Sequence, residues 1–174
     1  GDVERATSLF DVVDPYRIGY NSLGRGFWRV TYQTFMDEEP ELADWAHANS
    51  LAYDDGTDSY IVGLRHQDAL VKIKRESSEI NWILGPHVGW RSPWSSRLLT
   101  PADGMEWAYH SHGVDLTPQG TLLLFDNGNN RASAFEERMS AGEAYSRVVE
   151  FQIDEETMSA SEVWSYQGVE GERF

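Results

Sequence analysis

The sequence DDGTDSYIVGL, residues 54–64, places a cluster of turn-forming residues directly before a short apolar run. Asp, Gly and Thr favour turns, whereas Tyr, Ile and Val favour strands, so this stretch predicts a turn followed by a strand at 61–64. Two more apolar runs follow, at 70–73 and 80–82, and the second stops before Gly85-Pro86. The pattern predicts short antiparallel strands joined by tight turns.

The same order of features occurs again in the second half of the chain. After His112, a turn with Gly120 precedes an apolar run at 122–125, and further strands are predicted at 148–153 and 162–164. Counting from His47 to His112 gives a repeat of 65 residues. Groups of four strands that repeat in this way are typical of propeller blades, with a plain antiparallel sandwich as the alternative.

We therefore predict an all-β fold, a β-propeller of which this chain covers about two to three blades of four-stranded antiparallel sheet. Residues 1–174 would form a single partial propeller domain, with blade-like repeats at about 45–107 and 108–168. Residues 1–44 would belong to a preceding blade or an insertion. Helix formers at 38–46 and 134–144 are interrupted by proline and glycine, so these stretches predict short helical turns or loops.

Composition excludes several classes of function. The chain has 174 residues, a net charge of −15 and no cysteine, so disulfides and thiolate metal sites are excluded. The acidity argues against a nucleic-acid partner, because phosphate contacts need clustered Lys and Arg. No apolar run approaches the length of a membrane-spanning helix. An anionic substrate would need a local positive site, built from 14 Lys and Arg and five His.

The candidate functional residues are mainly histidines and an arginine. Alternation predicts that Trp45, His47 and Asn49 share one face of an extended segment, beside a polar pocket. Arg65 follows a predicted strand, and its planar guanidinium suits sulfate or phosphate oxygens. His112 can act as a nucleophile or as a general acid and base.

A metal site is the alternative use of these histidines. His110 and His112 lie two residues apart, so on a strand they would face the same side. Such a pair can ligate zinc, with His47 as a third ligand. The residues alone leave both chemistries open.

Three motifs together resemble the bacterial arylsulfate sulfotransferases and their relatives: WAHANS at 45–50, YIVGLRHQ at 60–67 and LFDNG at 124–128. The resemblance runs from about Asp44 to Tyr166. It implies a six-bladed propeller that transfers a sulfuryl group from an aryl sulfate to a phenol through a sulfo-histidine, without a nucleotide sulfate donor or a cofactor. Ser111 stands where the family usually has Gln.

The resemblance also assigns roles to residues. His112 matches the nucleophile, while His47, Arg65 and Asn49 match residues that hold the sulfate and the aryl oxygen. Trp45 and Tyr109 are substrate-binding candidates, since aromatic rings can stack on an aryl group.

The expected partners are small molecules, an aryl sulfate and a phenol, with a homodimer as one open arrangement. The resemblance implies a periplasmic or secreted location. The alternatives are a non-catalytic propeller that binds a ligand or protein, and a metal-dependent hydrolase.

Overall fold

A computed structural model describes residues 3, 5–24 and 43–168. This part of the chain contains one short α-helix, two 3₁₀ helices (Arg65–Gln67 and Trp94–Arg97) and nine strands, and the prediction of an almost entirely β structure is confirmed. The elements are α1 (Leu9–Val12), β1 (Ala48–Asp54), β2 (Ser59–Leu64), β3 (Ala69–Lys74), β4 (Ile80–Leu84), β5 (Thr100–Pro101), β6 (His112–Leu116), β7 (Leu122–Asp126), β8 (Arg147–Asp154) and β9 (Ser159–Tyr166).

The first sheet contains β1, β2, β3 and β4 in that spatial order, and every neighbouring pair is antiparallel. Tight turns explain this simple order. In the β1–β2 turn, the Asp54 carboxylate accepts hydrogen bonds from the Gly56 N–H at 3.1 Å and from the Thr57 hydroxyl at 2.6 Å. Such a side-chain cap satisfies backbone groups that a reversal of the chain would otherwise leave unpaired.

The second sheet has the order β6, β7, β8, β9 and β5. Its first four strands pair antiparallel, and the two-residue β5 pairs parallel to β9. The chain reaches β5 by passing beside β4, where Leu98 bridges Ile83. Each sheet thus consists of four consecutive antiparallel strands, and the link between them adds a short fifth strand to the second.

An apolar core lies between the two sheets. Strands β2, β3 and β4 contribute Ile61, Leu70 and Trp82, and the second sheet contributes Leu124 and Phe151, all at most 3% exposed. At about 25 cal/mol per Å² of apolar surface removed from water, side chains of this size dominate the packing energy. The two sheets therefore share one core.

A second apolar cluster covers the other side of the first sheet. Val12 and Val13, at the end of α1, pack there with Val71, Ile83 and Trp90. The described part of the first 44 residues contributes this helix and no strand.

The predicted helical turns have different outcomes. Residues 134–144 form turns and irregular structure, as predicted. The stretch 38–46 lies partly outside the described residues, and 43–46 form a bend. In the described residues, no helix has the length and apolar character needed to cross a membrane.

A buried lysine joins the two sheets at the ends where β1 and β8 finish. Lys72 Nζ lies 2.7 Å from Asp54 Oδ2 and 2.5 Å from Glu155 Oε1, in the turn between β8 and β9. Trp82 also donates from its indole nitrogen to Glu155, at 3.0 Å. A buried charge needs such partners, and here the partners come from both sheets.

Candidate active site

The predicted site residues lie at one shared edge of the two sheets. His47 immediately precedes β1 and Arg65 immediately follows β2, and these strands are antiparallel, so both residues lie at the same end. In the second sheet, His112 opens β6 and Asn127 follows β7 at the matching end. The first strand of each sheet thus begins, and the second ends, at this edge.

Hydrogen bonds between the sheets bring the two edges together. Asn49 donates from Nδ2 to the Ser111 carbonyl oxygen at 2.9 Å, directly beside His112. The backbone N–H of His110 donates to Asp68 Oδ1 at 2.7 Å. The two edges therefore lie side by side, with His47, Asn49 and Arg65 on the first sheet and His112 on the second, and a common site for them stays a prediction.

Backbone conformation corrects the predicted alternation on both segments. His47 has a φ of 47° and His110 has a φ of 53°, both in the left-handed region. An extended segment would have put Trp45, His47 and Asn49 on one face, but the turn at His47 redirects the chain, and the indole of Trp45 stacks instead on Phe10. The turn at His110 likewise breaks the predicted shared face of His110 and His112.

The two left-handed histidines also correct the expected repeat. His66 N–H donates to the Ala46 carbonyl at 3.1 Å, and Gly128 N–H donates to the Tyr109 carbonyl at 3.0 Å. These equivalent bonds align His47 with His110 and not with His112. Continuing the alignment, Arg65 corresponds to Asn127.

His47 belongs to a compact group with Asp44 and His66. Its Nδ1 bonds the Asp44 carboxylate, and its ring lies 4.7 Å, centroid to centroid, from the ring of His66. Asp44 and His66 are both buried, whereas His47 is about one-fifth exposed. A carboxylate on one ring nitrogen orients the imidazole and supplies a countercharge for a proton on it.

Both nitrogens of His66 are in use, and this defines its tautomer. Nδ1 donates to the Asp44 carbonyl oxygen at 2.6 Å, and Nε2 accepts from Arg65 Nη1 at 2.8 Å. Burial lowers the pKa of His66, with the hydrogen bond from Nδ1 to Asp44 acting in the opposite direction. His66 is therefore a neutral imidazole that holds the Arg65 guanidinium in place.

Arg65 connects the two sheets. Its Nη2 donates to Asn129 Oδ1 at 3.3 Å, in the loop after β7. Burial lowers its pKa, against the attraction of Asp68 and Asp44, but an arginine remains protonated throughout the physiological range. It is a fixed cation at the edge where an anionic group would be held.

Asp44, His47 and His66 also offer ligand atoms within 4.8 Å of one another, a spacing that could hold a metal ion. Their contacts fit a cation poorly, because Arg65 occupies His66 Nε2 with a positive charge. The predicted zinc trio of His47, His110 and His112 is not the group that lies together.

His110 is a structural residue. Its side chain is fully buried, and Nε2 accepts from Asn21 Nδ2 at 3.0 Å. Nδ1 lies 3.1 Å from Asp68 Oδ1, within ion-pair distance but outside hydrogen-bond geometry. Such a ring cannot reach a ligand at the surface of the site.

His112 is half-buried and has one defined partner. Its Nδ1 lies 2.5 Å from Asn127 Oδ1. Among the described residues no side chain is hydrogen-bonded to its Nε2. An amide oxygen only accepts hydrogen bonds, so Nδ1 carries the proton and Nε2 carries the lone pair.

The turn that carries Asn127 is fixed by a fully buried aspartate. Asp126 Oδ1 accepts from the backbone N–H groups of Tyr109 and Gly128, at 2.8 and 2.9 Å. Its Oδ2 accepts from Arg131 at 2.8 Å and from Arg147 at 3.0 Å. All four bonds are satisfied in a dry environment, where each is strong and the loss of one is costly.

The remaining candidates occupy different environments. Burial and the carboxylate of Asp68 raise the pKa of Tyr109 to about 12, so its phenol stays protonated. The Trp45 indole nitrogen donates to the Arg17 carbonyl at 3.0 Å. A role for either ring in stacking on an aryl group stays a prediction.

Comparison with known proteins identifies the family. Residues 1–174 match the arylsulfotransferase (ASST) family. The chain belongs to this family. It is 36% identical over 148 residues to arylsulfate sulfotransferase AssT of Escherichia coli O6:H1, and 34% identical over the same length to AssT of Lelliottia amnigena. Each match covers 75% of this chain and 24% of the relative, so the chain spans about a quarter of the length of these arylsulfotransferases.

Sequence reasoning missed three residues at the shared edge of the two sheets: Asp44, His66 and Asn127. Asp44 lies three residues before His47, and His66 directly follows Arg65. Asn127 lay inside the recognised turn LFDNG, where Asn is explained by turn formation alone. The available signal was its position, directly after a strand that ends at the same edge as the predicted nucleophile.

Proposed function

We propose that this chain supplies part of the active site of an arylsulfate sulfotransferase, with His112 as the nucleophile. The observation that carries the proposal is the shared edge at which His112, Asn49, Arg65 and His47 lie in a member of the arylsulfotransferase family.

The proposed first step is attack on sulfur. The lone pair of His112 Nε2 forms an N–S bond, the S–O bond to the aryl group breaks, and its electron pair leaves on the phenolate. In the second step a phenol acceptor loses its proton and attacks sulfur, and the N–S electron pair returns to His112. Atoms and charges balance without a cofactor.

Arg65 and His47 are proposed to stabilise the charge that moves in these steps. Sulfuryl transfer, like phosphoryl transfer, spreads negative charge over the oxygens around the central atom, so catalysis depends on positioning and electrostatics. Arg65 would hold those oxygens. His47, on its Asp44 carboxylate, would give a proton to the departing phenolate and take one from the acceptor.

We also propose that the two sheets are neighbouring blades of a β-propeller. The proposal is supported by two sheets of four consecutive antiparallel strands, packed on a shared core, whose first strands meet at the site. A location in the periplasm or outside the cell, and a homodimer, remain proposals that follow from the family alone.

The test uses the full-length protein with 4-nitrophenyl sulfate as donor and phenol as acceptor. We expect phenol-dependent release of nitrophenol, and a loss of at least about 10³-fold in His112→Gln, because the covalent route is removed. Donor without acceptor should leave one sulfuryl group on a peptide containing His112, detected by mass spectrometry.

His87→Gln is the matched control, because His87 is exposed and its Nε2 bonds the Leu99 carbonyl and none of the proposed site residues. It should keep wild-type activity. Wild-type protein without phenol-dependent turnover, or a His112→Gln variant as active as wild type, would contradict the proposal and favour a non-catalytic binding protein.

A further inference from the structure

The Nδ1 atom of His112 faces an amide and not a carboxylate. Asn127 Oδ1 lies 2.5 Å from it, at the end of β7. Histidines that act on substrates are commonly oriented by a partner on the second ring nitrogen, and that partner decides which nitrogen carries the proton. Here the partner is neutral, which has a specific chemical consequence.

We propose that Asn127 is a positioning residue that selects Nε2 of His112 as the reacting atom. The inference rests on the proposed function and adds a residue to it. The side-chain carbonyl oxygen of Asn127 accepts a hydrogen bond from Nδ1–H of His112, so the lone pair lies on Nε2. This is the only arrangement in which neutral imidazole can attack sulfur from that atom.

The neutrality of the amide matters at both steps. A carboxylate here would supply a countercharge and favour a proton on Nε2, which would block the attack. After transfer, the ring carries the sulfuryl group on Nε2, the proton on Nδ1 and a positive charge. A neutral partner leaves that charge in place, so the imidazole remains a good leaving group for the second step.

The loop keeps the nearby carboxylate away from His112. Asp126 precedes Asn127, but its four hydrogen bonds go to Arg131, Arg147 and two backbone N–H groups. Its charge is therefore matched by two buried guanidinium groups and is turned away from the imidazole.

The backbone around Asn127 is held on both sides. Its carbonyl oxygen accepts from the Ser146 hydroxyl at 2.8 Å. The next residue, Gly128, has a φ of 64°, and a Cβ there would lie 1.8 Å from the Tyr145 carbonyl oxygen. A residue held this firmly can orient a ring, because little motion is left to it.

The first experiment is a pH–rate profile of Asn127→Asp in the full-length protein, with 4-nitrophenyl sulfate and phenol. The acid limb should move to higher pH by about 1–3 units, because the new carboxylate stabilises the imidazolium. Activity at neutral pH should fall and recover on the alkaline side. Asn127→Ala should lose about 10- to 100-fold in kcat without that shift, as a lost orienting partner does.

Asn130→Asp is the matched control. Asn130 lies in the same loop, and its φ of 65° is a conformation that Asp tolerates. It introduces the same charge three residues away and should leave the profile in place. An unshifted Asn127→Asp profile, or an equal shift in Asn130→Asp, would overturn the inference.

The second experiment does not depend on turnover. Long-range ¹H–¹⁵N spectra of protein labelled in histidine, assigned with the His112→Gln variant, report which ring nitrogen of His112 carries the proton. We expect the Nδ1–H tautomer in the wild type and a mixture in Asn127→Ala. An Nε2–H tautomer in the wild type would overturn the inference. Wild-type inactivity with an Nδ1–H tautomer would instead contradict the proposed function.

Discussion

The edges of the two sheets share one backbone plan and differ in their chemistry. Each has a left-handed histidine before its first strand and a functional side chain after its second. In the first sheet, Nδ1 of His47 bonds the Asp44 carboxylate, and Arg65 supplies a fixed positive charge. In the second, His112 rests on an amide, and Asn127 occupies the position that corresponds to Arg65.

In the proposed mechanism, this difference separates two tasks that one histidine could not perform equally well. A proton donor benefits from a carboxylate that supports its charged form, whereas a nucleophile needs an open lone pair. A repeated structural unit supplies two imidazoles at neighbouring positions, and the partner on Nδ1 gives each a different state. The repeat thus provides the geometry, and single residues provide the chemistry.

The same contrast extends to how each edge is anchored. Leu64 ends β2 as a buried apolar residue, whereas the corresponding Asp126 ends β7 as a buried charge with two arginine partners. An apolar anchor tolerates small changes in packing, while a buried ion pair fails sharply when one partner is removed. The edge that carries His112, the proposed nucleophile, is therefore expected to be the more sensitive to substitution.

The largest expected effect is that of Asp126→Ala on stability. Removing the carboxylate leaves Arg131 and Arg147 without their buried partner and two backbone N–H groups without their side-chain acceptor. We expect a loss of about 3–5 kcal/mol in the free energy of unfolding, measured by denaturant titration of the full-length protein.

The control for this variant is Asp115→Ala, at an exposed position in β6. It removes the same charge from the same sheet and should change the free energy of unfolding by less than about 0.5 kcal/mol. If both variants lost the same stability, the sheet edge would be responding to net charge and not to the buried network.

Sequence reasoning located the strands for clear physical reasons. Apolar runs between turn clusters define strands, and a residue just outside a strand end lies at a known edge of the sheet. The grouping of His47, Arg65 and His112 came instead from the resemblance to the family. The spacing of 18 residues between His47 and Arg65 is one hairpin.

The ring partners could not be predicted in the same way. Strand alternation assumes an extended backbone, and the left-handed turns at His47 and His110 break it just where the site begins. Which nitrogen of His112 meets Asn127, and which of His47 meets Asp44, depends on these turns. Position along a strand is encoded locally, whereas the partner of a side chain is decided by tertiary packing.

The next effect on stability, smaller than that of Asp126→Ala, is the difference between Gly128→Ala and Gly113→Ala. Both glycines have a φ of 64°, but a Cβ at Gly113 would meet nothing within 4 Å, whereas at Gly128 it would meet the Tyr145 carbonyl. Gly113→Ala should cost about 1–2 kcal/mol for the left-handed conformation alone. Gly128→Ala should cost about 1–3 kcal/mol more, from forced displacement of the backbone.

The measurement is again the free energy of unfolding of each variant. Because the two positions share one φ, the difference between the variants isolates the close approach of the two chain segments. Equal losses would mean that the loop beside Asn127 can relax, and the inference that the second edge is firmly anchored would then be wrong.

The smallest expected effect is that of a substitution that makes the histidine partners on the two edges alike. Asp44→Asn gives His47 an amide partner like that of His112, keeping the hydrogen bond but removing the countercharge. We expect a loss of about 10- to 100-fold in kcat with unsubstituted phenyl sulfate, because a strongly basic phenolate needs a proton as it leaves. With 4-nitrophenyl sulfate, whose leaving group is stable as an anion, the loss should be much smaller.

Asp55→Asn, an exposed change in the turn after β1, is the charge-matched control and should affect neither donor. The dependence on leaving group distinguishes proton transfer from a structural defect, because misfolding or a displaced Arg65 would slow both donors alike. Equal losses with the two donors would make Asp44 a support for the His47–His66 pair only. A donor-dependent loss would mean that His47, with its carboxylate partner, acts as the acid. The nucleophile, His112 with its amide partner, would then lie in the other repeat of the same structural unit.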